Sequence, residues 1–361
     1  MLETYDLGQL VQPLLEWYPS HARELPWRSD PTPYHVWVSE IMLQQTRVEA
    51  VKPFYARFTE ALPDVRALAE CGEERLLKLW EGLGYYNRVR NMQTAAQTIM
   101  SDYGGVIPAE YEELLKLKGI GHYTAAAITS IAYGRPAAAV DGNVLRILMR
   151  AAEDDSDIAK QSVKTRVEQA LQPVIPVQQA GMFTQAMMEL GATVCVPNGA
   201  PFCEQCPWEK LCLAHAHGRV AALPVKAKPK ARRIEYKTVL VVRDGDRVLL
   251  QKRPEKGLLA GMYELPYLEG TPTEREILDA VKQRGLSPIR LQKLPEAKHI
   301  FSHVEWRMSG YAILVEEVSD SGLLFVEPVD SERTYAIPAA YAAYARYMNI
   351  RIGQEKFLEE P

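Results

Sequence analysis

The sequence predicts two folded domains in tandem: an all-α domain over residues 1–218 and a smaller α+β domain over 234–361, joined by a basic linker at 219–233. Three observations carry this expectation. Apolar residues before 219 recur at three- and four-residue spacing between Pro and Gly breaks, with no convincing strand. The stretch RVAALPVKAKPKARR (219–233) is basic, proline-containing and has little to bury. After it, YKTVLVVRDGDRVLLQKR sets two apolar runs around Asp244-Gly245-Asp246, a hairpin signal. At 361 residues the chain is long enough for two cores.

In order along the chain, helices are expected through PYHVWVSEIMLQQTRVEAVKPFYARF (33–58) and EERLLKLWEGL (73–83), then at 90–103, 110–116, 122–133, 142–150, 160–172 and 179–192. Beyond the first hairpin, strands are expected at 262–267, 289–294, 304–315 and 323–327. Helices are expected near 273–285 and 338–347.

No run of about 18 apolar residues is present, so no membrane-spanning helix is expected. The N-terminus carries acids and no basic n-region, which excludes a signal peptide and makes the cytoplasm the default. Residues 1–218 have a net charge of −7, and only 219–233 is strongly basic. Any nucleic-acid contact in the first half must therefore rest on local patches and backbone amides, not on a global field. Local basic candidates are Arg47, Arg88, Arg90, Lys116 and Lys118.

Four of the five cysteines form Cys195-x7-Cys203-x2-Cys206-x5-Cys212, a metal-binding arrangement in a chain expected to be cytosolic. Zinc sites commonly show two Cys-x2-Cys knuckles, and here there is one. The uneven spacing suits a 4Fe–4S cluster better, with zinc left open. Helix, then LKGIG, then helix is a helix–hairpin–helix pattern, in which Gly119 and Gly121 allow backbone amides to face a phosphate. In VDGNVLR, Asp141 stands just ahead of a helix, where backbone amides and the dipole favour a carboxylate; an ordinary N-cap reads the same way. Glu40, in VWVSEIML, is flanked by apolar residues. Burial there would raise its pKa, as a general acid requires, although a Glu on a partly exposed helix fits the same string.

Together LPWR (25–28), VWVSEIMLQQTRV (36–48), WEGLGYYNRVRN (80–91), LKGIGHYTA (117–125), AVDGNVLR (139–146) and the cysteine loop resemble, in this order, the helix–hairpin–helix Fe–S DNA glycosylases, and within them the adenine DNA glycosylases. The resemblance covers nearly the whole chain. It implies a base-excision enzyme that extrudes adenine from a pair with 8-oxoguanine or guanine in duplex DNA, hydrolyses its N-glycosidic bond and leaves an abasic site with little or no lyase activity. A soluble monomer with a 4Fe–4S cluster on Cys195, Cys203, Cys206 and Cys212 is further implied.

Carried over residue by residue, the resemblance makes Glu40 the acid, Asp141 the group that stabilises or transiently bonds the anomeric carbon, and Asn143 an orienter of the acid or the water. Tyr123 stands where lyase relatives place a lysine, with its hydroxyl expected on Asp141. Trp27, Arg28 and Gln185 would line the adenine pocket. Leu43, Gln45, Thr46 and Tyr85 would fill the gap or touch the opposite base. The second domain resembles a Nudix fold but lacks the Glu-Glu pair of the metal box beside Arg275-Glu276, so no hydrolase activity is expected. It would read the oxidised guanine through Phe301, Ser302 and His303.

One departure stands out: seven residues separate the first two cysteines, where the family usually has six. Three rival readings fit the sequence less well. A lyase acting on oxidised pyrimidines needs an amine at position 123. A non-catalytic Fe–S DNA-binding module has no use for Glu40 and Asp141 together, and a Nudix hydrolase lacks its metal box.

Overall fold

The computed structural model describes residues 2–227, 231–318 and 321–352. Lys228 and Lys230 of the basic stretch, and residues 353–361, lie outside them. The chain forms two compact units. The first is Met1–Glu70 with Asn91–Lys228, and the second is Cys71–Arg90 with Pro229–Pro361.

The first unit holds helices α1 (Val11–His21), α2 (Pro26–Ser29), α3 (Pro33–Leu43), α4 (Val48–Ala61) and α5 (Val65–Glu70). After α6 (Glu73–Leu79) in the second unit, α7 (Asn87–Asp102) returns the chain to the first. There follow α8 (Tyr111–Leu115), α9 (His122–Ala127), α10 (Gly142–Ala151), α11 (Gln161–Leu171), α12 (Ala180–Thr193) and α13 (Leu213–Ala216). Helix α12 packs against α1 and α10 through Leu14, Trp17, Val144, Leu148, Phe183, Met187 and Leu190.

Helix α3 is apolar almost all round because it is a core helix: Tyr34 and Val36–Met42 are all buried. It starts at Thr32, whose side chain accepts from His35 N, and ends at Leu43; Gln45 then adopts φ 61°. The run 33–58 is thus two helices broken at 44–47. The expected helix 122–133 is α9 continued by a π turn at Ile128–Ala132. In the hairpin, Gly119 has φ 80°, and a Cβ there would meet Asn91 Cβ at 2.6 Å; position 121 is extended and open. Gly119 therefore carries the conformational demand.

In the second unit, strands β1 (Arg233–Asp244), β2 (Arg247–Lys252), β3 (Tyr263–Glu264), β4 (Tyr267–Glu269), β5 (Pro288–Ile300), β6 (Val304–Val315) and β7 (Leu324–Val326) form one sheet. Its order is β3-β2-β1-β6-β5, with β4 on β1 and β7 on β2, and β1 runs parallel to β6. The run TVLVV is buried on both faces. Val239 and Val241 face the 3₁₀ segment Ala339–Tyr347, while Leu240 and Val242 face helix α14 (Glu274–Gln283). The expected helix at 338–347 is thus 3₁₀, and helix α15 (Pro328–Arg333) and the full length of β5 went unseen in the sequence.

Part of the stretch read as linker lies on the first unit. Ile158 N donates to Val225 O (3.0 Å), Ala227 N to Asp157 Oδ1 (3.2 Å) and Arg150 Nε to Leu223 O (2.8 Å).

Candidate active site

Within the first unit, the ends of α3, α9, α10 and α12 and the short α2 surround a cleft of about 660 Å³. Glu40, Asp141, Asn143, Tyr123, Trp27, Arg28, Gln185, Leu43, Gln45 and Thr46 all line it.

Glu40 is buried in the wall of this cleft. Burial is the largest influence on its carboxyl, and the charge of Asp141 adds to it. The Tyr123 hydrogen bond and Arg28 oppose, and the net result is a pKa pushed up to about 7. Tyr123 Oη donates to Glu40 Oε2 at 2.5 Å. This corrects the expected pairing of Tyr123 with Asp141. The phenol is itself shifted well upward by burial and by the two carboxylates, so it stays a donor.

Asp141 caps α10: its Oδ1 accepts from Val144 N (2.8 Å) and its Oδ2 from Asn143 Nδ2 (2.8 Å). The helix N-terminus was expected to hold this carboxyl low. Burial outweighs those hydrogen bonds, and its pKa is raised. Asn143 is oriented in turn, because Arg146 Nη2 donates to its Oδ1 (2.7 Å). The same guanidinium donates to Gly191 O and Cys195 O, both at 2.7 Å. Backbone fit completes the arrangement. A Cβ at Gly191 would stand 2.6 Å from Asn143 Cβ, so α12 can approach α10 this closely only without a side chain at 191.

Trp27 is buried edge-on to Tyr55, and Gln185 has Tyr18 Oη 3.5 Å from its Oε1. Arg28 does not stand alone. Glu189, fully buried, accepts from Arg28 Nη2 (2.7 Å) and from Arg23 Nε (2.6 Å), Nη2 (3.1 Å) and backbone N (3.1 Å). Sequence reasoning missed Glu189 and Arg146. The available signal for Glu189 was an acid four residues after Gln185 on an apolar helix, and for Arg146 a base one turn after Asn143.

The four cysteines Cys195, Cys203, Cys206 and Cys212 line one small cavity, with Arg150 Nη1 3.2 Å from Cys195 Sγ. Their loop is tied down by Trp208, whose Nε1 donates to Leu10 O (2.9 Å), and by Tyr5 Oη donating to Leu211 O (2.7 Å). Among the described residues, no set of three or more His, Cys, Asp or Glu is arranged to hold a single metal ion.

Tyr85, Phe301, Ser302 and His303 lie in the second unit. Tyr85 is exposed with φ 50°, and Ser302 Oγ donates to its hydroxyl at 3.2 Å. Phe301 packs between the rings of His299 and Trp306, and Ser302 and His303 are exposed. Of the basic candidates, Arg90 is paired with Glu73 and Lys116 with Glu113, Arg88 binds the carbonyls of Leu83 and Gly84, and Arg47 and Lys118 are exposed. On α14, Glu276 is committed to a capping box with Thr273 (2.7 and 2.8 Å). Among the described residues no helix is long and apolar enough to cross a membrane.

Two family models match the chain: an HhH-GPD superfamily base excision DNA repair protein over residues 38–173 and a NUDIX domain over 238–346. The chain is 36% identical to a mouse adenine DNA glycosylase, over 85% of this chain and 71% of the relative. It is 30% identical to an adenine DNA glycosylase from Buchnera aphidicola subsp. Acyrthosiphon pisum, over 88% of this chain and 89% of the relative. Among solved structures, a thermostable thymine-DNA glycosylase matches with a TM-score of 0.52 at 27% identity, covering 58% of this chain and 96% of that one. Endonuclease III in a non-covalent DNA complex matches with a TM-score of 0.51 at 25% identity, covering 61% and 99%.

Proposed function

The chain belongs to the adenine DNA glycosylase family of base excision repair, and from that premise we propose that it acts on adenine paired with 8-oxoguanine or guanine, hydrolyses the glycosidic bond and leaves the strand uncut. The observation that carries this reading is the pair Glu40–Asp141 in one cleft, with a phenol and no amine at position 123.

Adenine inside a duplex is out of reach, so it must be extruded at the cost of unstacking. Once the base is in the cleft, Glu40, protonated near neutral pH, gives its proton to N7 of adenine. The C1′–N9 bond breaks with its electron pair going to N9, and positive charge grows on the sugar. Asp141, held by Val144 N and Asn143, stabilises that cation. Water then adds at C1′ and returns a proton to Glu40. Tyr123 donates to Glu40 and orients it, and a phenol forms no Schiff base with the sugar. Gln185 offers a two-point contact to an adenine edge. Trp27 supplies an apolar wall, and Arg28 is fixed by Glu189.

The donor set of Cys195, Cys203, Cys206 and Cys212 around one cavity fits a 4Fe–4S cluster. When bound, the cluster supplies a cross-link that orders the loop. Tyr85, Phe301, Ser302 and His303 are assigned to the opposite base, with Leu43, Gln45 and Thr46 filling the gap in the duplex. The second unit has no pyrophosphatase role in this reading, since Glu276 is occupied as a cap. The enzyme works as a soluble monomer, with the first compact unit as the catalytic part and the second, which includes Cys71–Arg90, as the reader.

The test is single-turnover cleavage of duplexes carrying A opposite 8-oxoguanine, G, C or T, with and without hot alkali. Base loss is expected fastest opposite 8-oxoguanine, with strand breaks only after alkali. Equal scission without alkali, or a preference for oxidised pyrimidines, overturns the reading.

A further inference from the structure

The loop Gly82–Tyr85 holds an exposed aromatic in a costly backbone conformation. Gly82, Gly84 and Tyr85 have φ of 100°, 69° and 50°. An L-side chain rarely adopts this backbone, so surrounding contacts must enforce it at the tyrosine. Some are internal: Trp80 Nε1 donates to Gly84 O (3.0 Å), and Arg88 Nη2 donates to Leu83 O (3.1 Å) and Gly84 O (3.2 Å). The Arg88 guanidinium also lies 5.3 Å from the centre of the Tyr85 ring.

Other contacts fasten the loop, on both sides, to the sheet-bearing part of the same unit. Before it, Lys78 Nζ donates to Ser331 O (3.1 Å) and Tyr335 O (2.6 Å) and pairs with Glu81 (2.9 Å). Glu81 also accepts from Ile337 N at 2.8 Å. After the loop, Arg90 Nη2 donates to Ala260 O (2.6 Å). The side chains of Lys78 and Glu81 are 14% and 4% exposed. A buried ion pair is a poor source of stability compared with apolar packing, and its attested use is to fix register. Here each partner also spends hydrogen bonds on the backbone of 331–337.

We propose that Lys78, Glu81 and Arg90 are positioning residues that set the Tyr85 loop in register with the β5–β6 turn, so that the Tyr85 and Ser302 hydroxyls form one recognition edge. The two hydroxyls stand 3.2 Å apart. This inference rests on the function proposed above, which assigns Tyr85 and Ser302 to the opposite base, and concerns the residues that hold the two in register.

The experiment compares single-turnover rates on A:8-oxoguanine and A:G duplexes for the full chain and for Lys78→Met, Glu81→Ala and Glu81→Gln. Lys78→Met and Glu81→Ala are expected to reduce the rate ratio about tenfold, roughly the worth of one aligned hydrogen bond, with the A:G rate within about twofold. Glu81→Gln keeps an acceptor for Ile337 N and is expected to lose less. Should an alanine variant misfold, the ratio of affinities for duplexes bearing an abasic analogue opposite each guanine, measured on Glu81→Gln, carries the same information. An unchanged ratio, or both rates falling in parallel with thermal stability, overturns the proposal. A wild-type chain that releases adenine from neither duplex overturns the functional reading itself and this inference with it. A wild type that is active but indifferent to 8-oxoguanine overturns the inference alone.

Discussion

Glu40 is both the proposed acid and a source of instability. Its pKa lies near 7 because burial penalises the ionised form. The base-release rate is therefore expected to fall towards tenfold per unit above pH 7, as the proton on Glu40 is lost. It should fall again on the acid side as Asp141, whose pKa is also raised, takes up a proton. A pH–rate profile under single turnover checks it; a profile flat to pH 9 removes Glu40 as the acid. Replacing Glu40 by Gln is expected to cut the rate by about 10²–10⁴-fold. Stability should move the other way. A carboxyl whose folded pKa is raised binds more protons folded than unfolded, so the wild type loses stability as pH rises from about 4.5 through 7. The loss approaches about 3 kcal/mol for a shift of this size. Glu40→Gln removes that loss. Its melting temperature should match the wild type near pH 4.5 and exceed it by several degrees at pH 8, and a difference independent of pH would refute the assignment.

At the scale of elements, the helix pair α10 and α12 sets the position of Asn143. Alanine is the better helix former by about 1 kcal/mol, so Gly191→Ala looks favourable from propensity alone. Its Cβ would lie 2.6 Å from Asn143 Cβ and 3.2 Å from the Cα, and such overpacking costs about 1–3 kcal/mol. We expect the clash to win. The rate should drop by more than tenfold as Asn143 is displaced from Asp141, while DNA affinity stays within about twofold; calorimetry and titration separate the two effects. Little of this was legible in the sequence. The N-cap at Asp141, the apolar surroundings of Glu40 and the hairpin glycine could be read, because caps and periodicity are local. The partner of Tyr123 lies 83 residues away and that of Arg28 161 residues away, and no spacing rule reaches so far. The break at 44–47 was missed because Gln45 enters the left-handed region without a glycine to announce it.

Across the whole molecule, the cysteine loop stands out in the first unit for its sparse regular structure, a 3₁₀ turn at Cys203–Gln205. A four-point cross-link over residues 195–212 is expected to contribute about 3 kcal/mol through chain entropy, by analogy with a disulfide closing a loop of similar length. Purified protein should show broad absorbance near 400 nm. Its removal by oxidation and chelation should lower the first melting transition by roughly 10 °C, and an unchanged transition would mean the loop needs no cluster. Domain order was legible from composition, since the basic stretch and the change of periodicity both fall near residue 230. The membership of residues 71–90 was not: their charges are answered by Ser331, Tyr335, Ile337 and Ala260, more than 150 positions later.

That membership means the molecule cannot be divided by one cut. A protease or a gene truncation acting near residue 228 severs the backbone once, yet the compact second unit claims two separate lengths of polypeptide. The N-terminal fragment would carry away Lys78 and Glu81, still paired with each other but stripped of their carbonyl and amide partners. Fragments made this way should bind each other and regain the intact chain's preference when mixed, as complementing halves of one protein do.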